Sequence, residues 1–183
     1  MPTQTRLAVL CILGALAAPP ALAAQCGNPK TTAGYFLEVV RAIALDYDLT
    51  DPRPIGTLLE GKLTPDAARA RPGYEELTGY SLFGRPAQIV YSRHDDPPPN
   101  ERGVVTLAIR PSASWPDIAP QTVDACLADV GGKSKAIPVR DGPGQSWEKT
   151  ISRTARGGGG IRVVWTTGQD GKRLDYLAIF LDR

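Results

Sequence analysis

Tyr35, Phe36, Val39, Val40 and Ile43 recur at helical spacing, with Glu38 and Arg41 facing away from them and one turn apart. This pattern predicts an amphipathic helix from Thr32 to about Tyr47, with Glu38 and Arg41 as a surface ion pair. Asp51-Pro52-Arg53-Pro54 then predicts a chain break, because each proline fixes its own φ and disfavours the helical region for the residue before it. Leu63-Thr64-Pro65-Asp66 reads as a helix start, with Thr64 as N-cap and Pro65 at N1, and the helix should stop near Pro72-Gly73.

From Tyr80 the period shortens to that of strands: Ser81 to Phe83, Ala87 to Tyr91 and, beyond a proline-rich loop, Val104 to Ile109. The order then recurs. Ile118-Ala119-Pro120-Gln121 resembles Leu63-Thr64-Pro65-Asp66, and Val123 to Val130 predicts a helix closed by Gly131-Gly132. Three strands follow, at Ser146 to Arg153, Ile161 to Thr167 and Arg173 to Leu181, the last two joined through the turn signal Asp170-Gly171. The expected class is α+β, a helix followed by an antiparallel β-meander. It reads either as a tandem duplication, with units 24–109 and 110–183, or as one continuous domain over 24–183.

The C-terminal strands are apolar on both faces. Leu174, Tyr176, Ala178 and Phe180 alternate with Leu177, Ile179 and Leu181, and Ile161, Val163 and Trp165 stand opposite Val164. A sheet with one solvated face should alternate cleanly between apolar and polar. Helices can cover one side, so the other needs a second layer or a partner.

The first residues change the picture. A basic start through Arg6, an apolar run from Leu7 to Ala18 and small residues at Ala21-Leu22-Ala23 predict a signal peptide over 1–23, too short for the ~20 residues of a spanning helix. Export implies an oxidising compartment, periplasmic or extracellular. Cys11 would leave with the leader, so Cys26 and Cys126 are expected to form a disulfide. Two cysteines and the lone His94 are too few for a metal site. The net charge of +2 selects no partner, although 110–183 is the basic half, with 11 basic and 8 acidic residues.

Catalytic motifs fail on inspection. Gly132-Lys133-Ser134 imitates a phosphate-binding loop, but Leu127 stands where its first glycine belongs; Gly79-Tyr80-Ser81-Leu82-Phe83 lacks the closing glycine of a nucleophile elbow. His94, beside Asp95 and Asp96, reads as a loop histidine without a nucleophile, and Glu75-Glu76 as solvating charges on a short surface helix. No cofactor is expected.

The remaining feature is Gly157-Gly158-Gly159-Gly160, set among Lys149, Arg153, Arg156, Arg162, Lys172 and Arg173 against Asp170, a local charge of +5 over 149–173. Arg153, Arg156, Gly157, Gly158, Gly159, Gly160, Arg162, Trp165 and Tyr176 are therefore the candidate partner-binding residues. Basic rim charges would steer encounter, and the aromatics would hold the complex. A helix-then-meander arrangement of this size, repeated in an exported chain, resembles that of secreted β-lactamase inhibitory proteins and of outer-membrane assembly lipoproteins. The resemblance is architectural and carries no residue across. It implies a non-catalytic protein that binds a macromolecule in the envelope or outside, as inhibitor, immunity protein or assembly factor. Its partner would be a protein in the envelope or outside the cell, with an anionic envelope polymer or lipid as the other option; nucleic acid is not expected there. The alternatives are an envelope-polymer hydrolase using carboxylates or His94, and a structural envelope component.

Overall fold

The computed structural model describes residues 26–96, 103–137, 144–154, 159–168 and 170–182, without the side chains at 152–154. The predicted leader lies outside them. Thr31 caps the first helix, α1 (Thr32–Asp46), by accepting a 3.1 Å hydrogen bond from the Gly34 N–H. The stripe read from sequence packs inward at Phe36, Val39, Val40 and Ile43, but Tyr35 is exposed and rests on the Phe83 ring at 4.9 Å. Arg41 does not pair with Glu38. Its guanidinium forks onto Asp129 at 2.6 and 2.9 Å and donates to the Cys126 carbonyl at 2.8 Å, because the chain at 126–129 brings both acceptors to it.

The expected break holds, since α1 ends at Asp46 and Asp51 lies in extended backbone before Pro52, and the same residues also start a helix. Asp51 accepts from the Arg53 N–H, Pro52 takes N1, and α2 runs Pro52–Leu58. The expected helix from Pro65 is absent, since Thr64–Pro65 forms a short edge strand, β1, paired with Thr78 and Leu77. Proline is tolerated there because an edge leaves its side of the ladder unpaired. Three long strands follow: β2 (Tyr74–Leu82), β3 (Arg85–His94) and β4 (Gly103–Pro111). Phe83 and Gly84, at φ 50° and 70°, make the two-residue turn between β2 and β3. Glu75 and Glu76 thus lie on a strand, not a helix, and point to opposite faces.

Helix α3 (Pro120–Cys126) has Pro120 at N1, the place Pro52 holds in α2; the match of Pro65 to Pro120 drawn from sequence therefore does not hold in the fold. A short strand missed in the sequence, β5 (Lys135–Ile137), precedes β6 (Ser146–Thr154), β7 (Gly160–Thr167) and β8 (Leu174–Asp182). The class is α+β: three helices and one antiparallel sheet of order β1-β2-β3-β4-β8-β7-β6-β5 among the described residues. The sheet is continuous from β4 to β8, where Leu107 pairs Ile179 and Ala108 pairs Ala178.

One core cluster joins Phe36 and Val40 of α1, Ile55 of α2 and Val123 of α3 to Ile89, Tyr91, Leu107, Ile109, Val163, Trp165, Leu177 and Ile179 of the sheet. A register shift between Thr166 and Thr167 turns Leu174 into this core, so it does not share the face of Tyr176 and Ala178. Tyr91 donates its hydroxyl to the Leu49 carbonyl at 3.0 Å, which anchors the α1–α2 connection to the sheet. Cys26 and Cys126 form the expected disulfide, buried between the start of α1 and the end of α3. No described helix is long and apolar enough to cross a membrane.

Candidate functional site: the open face of the sheet

All three helices join the core on one side of the sheet, so the alternate residues of the strands face the other way. Following the ladder across that side gives a continuous row: Thr78, Val90, Ala108, Ala178, Val164 and Glu148. Ala178 is 0% and Val164 8% exposed, yet neither belongs to the helix-packed core. No described helix joins the core on their side.

Two aromatic side chains border this strip. Phe180 carries the Arg162 guanidinium over its ring at 4.3 Å, and Tyr176 carries that of Arg110 at 5.4 Å. Arg162 also forks onto Asp182 at 2.8 and 3.0 Å and reaches Glu148 at 3.3 Å, which raises its already high pKa further. Burial raises the pKa of the Tyr176 phenol, against the pull of Arg110 and Arg162. Beyond these, the Ser146 and Thr166 hydroxyls share a 2.6 Å hydrogen bond.

At the β2 end of the face, Glu76 is buried and accepts from the Tyr74 hydroxyl and from Arg69. The Tyr74 ring lies against His94 at 4.4 Å, beneath the Arg71 guanidinium at 4.7 Å. His94 is thus the last residue of β3, not a loop residue. Burial and the Glu76 carboxylate both raise the Tyr74 pKa. The corner holds an acid, a phenol and an imidazole, but the carboxylate's acceptors are taken by Tyr74 and Arg69. Among the described residues, no group of three or more His, Cys, Asp or Glu side chains is placed to hold a metal.

The predicted partner-binding set divides. Tyr176 and Arg162 lie on the open face. Arg162 is no free rim charge, since its side chain is 17% exposed and faces two carboxylates. Trp165 is 1% exposed in the core on the helix side, against Trp147, and cannot contact a partner there. Lys149 also leaves the expected basic strip, since it is buried on the helix side near Asp124. Gly160 begins β7, and Gly159, at φ 94°, closes on the Asp182 carbonyl so tightly that a Cβ would sit 2.1 Å from it. Arg153 lies in β6, with its side chain outside the described residues, as are Arg156, Gly157 and Gly158 altogether.

Val90, Ala108, Arg110, Glu148, Phe180 and Asp182 were not in the predicted set. The two-sided apolarity of the last strand pointed to their face, but only the order of strands in the sheet brings them together. No family model, curated protein or solved structure matches the chain.

Proposed function

We propose that this is an exported, non-catalytic protein of the periplasm or the extracellular space that binds a macromolecular partner, of inhibitor, immunity or assembly-factor type, through the open face of its sheet. The observation that carries the reading is the part-exposed set Val90, Ala108, Tyr176 and Phe180, which lies on one side of three neighbouring strands beside the buried Ala178 and Val164. A sheet face that presents Val90, Ala108 and two arginine-capped aromatics has the makings of a protein contact. A buried disulfide and a chain without a described membrane-crossing helix support export, which rests mainly on the leader pattern of residues 1–23.

Capture from an envelope extract tests it. The wild-type chain should retain one stoichiometric protein. Ala108→Arg, which adds a long charged side chain in mid-strip without touching the core, should lose it while circular dichroism stays the same. Equal capture by both would remove the open face from the function. The hydrolase alternative has one observation in its favour, the meeting of Tyr74, Glu76 and His94 at one corner. It requires that His94→Ala abolish a measurable hydrolysis of envelope polymer in a variant that folds normally.

A further inference from the structure

The helix side of the sheet holds a buried lysine. Lys149 lies on β6, paired with Val163, and is 3% exposed. Its counterpart across the sheet is Leu77 on β2, paired with Tyr91; both belong to the second strand from an edge, and both line a cavity under a seven-residue helix begun by proline. The first cavity, about 470 Å³, is lined by Gly56, Leu63 and Leu77 among others and is largely apolar. The second, about 390 Å³, is lined by Asp124, Ala128, Lys133, Ser134 and Lys149 among others. A leucine fills this position in one half, so packing alone does not call for an ammonium in the other.

The Lys149 ammonium is poorly matched in the described structure. Its nearest carboxylate oxygen, Asp124 Oδ1, is 3.9 Å away, beyond hydrogen-bond reach, and the same oxygen accepts the Ser134 hydroxyl. A buried cation with three donors is costly unless an acceptor meets it. The cavity beside it is open to solvent and carries a second cation, Lys133, and a hydroxyl, Ser134. We infer that this cavity binds a small oxyanion, a carboxylate or a phosphate, which takes the hydrogen bonds of Lys149 that Asp124 is too distant to take.

The test uses the full chain and two probes, inorganic phosphate and acetate, each titrated at constant ionic strength against chloride while thermal unfolding is followed. One of them should raise Tm along a saturable curve, by about 5–10 °C at a hundredfold excess over its Kd. Which probe does so assigns the ligand to the phosphate or the carboxylate class. In Lys149→Leu, which places there the residue that β2 carries in the same row of the sheet, the rise should vanish while Tm without ligand stays equal or increases, because an apolar replacement removes the desolvation cost. Asp124→Asn should bind the same probe more tightly, since it removes a competing anion. Should the leucine variant fail to fold, the Lys149 side-chain NMR signals of the wild-type chain must shift along the same titration curve. Flat titrations with both probes, a rise equal in Lys149→Leu, or Lys149 signals that stay still would overturn the inference. No protein partner enters the measurement, so its outcome is separate from that of the open face.

Discussion

Tyr91 shows how a single side chain sets a pH limit. Its phenol is buried and donates to the Leu49 carbonyl, and burial is the main reason its pKa stands far above that of a free tyrosine. Tyr74 and Tyr176 are raised as well, again with burial first among the causes. A group whose folded pKa exceeds its unfolded value stabilises fully below the unfolded pKa, near ~10 for tyrosine, and loses that contribution as pH rises above it. Melting temperature should therefore fall steeply above about pH 10, and Tyr91→Phe should make the fall shallower while costing about 1–2 kcal/mol at neutral pH through the unpaired carbonyl. Curves of equal steepness would show that Tyr91 does not control the limit. At the acid end the sign reverses. Arg41 holds the Asp129 carboxyl below its ordinary range, so that pair contributes above about pH 4 and is lost as pH falls through the depressed value.

The elements differ in how openly the sequence declared them. Helix α1 and strands β6 to β8 were legible because a long run repeats one period: Phe36 to Ile43 for the helix, Ile161 to Trp165 and Leu177 to Leu181 for the strands. The short elements were not. Asp51-Pro52 and Thr64-Pro65 are the same local signal, a capping side chain followed by proline, and only the first starts a helix. Tertiary pairing decides between them, since Thr64 and Pro65 lie along β2 and gain a ladder there. The open face was half legible. Alternation in β8 revealed a second apolar side, but Trp165 was assigned to a partner when its own core had a use for it. A paired substitution probes how closely the segment between α3 and β5 is held against β6. Gly131 bridges to Ile151, and a Cβ there would sit 2.2 Å from the Thr150 carbonyl oxygen, whereas at Gly132 it would meet nothing within 4 Å. Gly131→Ala should cost about 2–3 kcal/mol, by forcing β6 away, and Gly132→Ala no more than about 0.5 kcal/mol. Chemical denaturation of the two variants measures both, and equal costs would mean that the segment after α3 is not pressed against β6.

For the molecule as a whole, the β4–β8 pairing, the Arg41 contacts to Asp129 and the Cys126 carbonyl, and the Cys26–Cys126 bond all join its halves, the last of them covalently. The covalent joint closes a separation of 100 residues, worth about 4–5 kcal/mol in the chain-entropy model. A Cys26→Ser, Cys126→Ser chain should unfold at correspondingly lower denaturant, and a loss below about 1 kcal/mol would mean that the denatured chain is already compact. The bond also has a consequence for assembly. The β4–β8 seam would be made equally well between two chains, each lending its second half to the other with residues 112–119 as the hinge, because every contact in an exchanged pair duplicates one in the monomer. Once Cys26 is bonded to Cys126 in its own chain, that exchange is closed, since the last third of the molecule cannot leave without taking the start of α1 with it. Oxidation before the seam forms therefore chooses the solitary chain over the intertwined dimer. Concentrated refolding of the serine variant should yield dimers by gel filtration where the oxidised protein yields none.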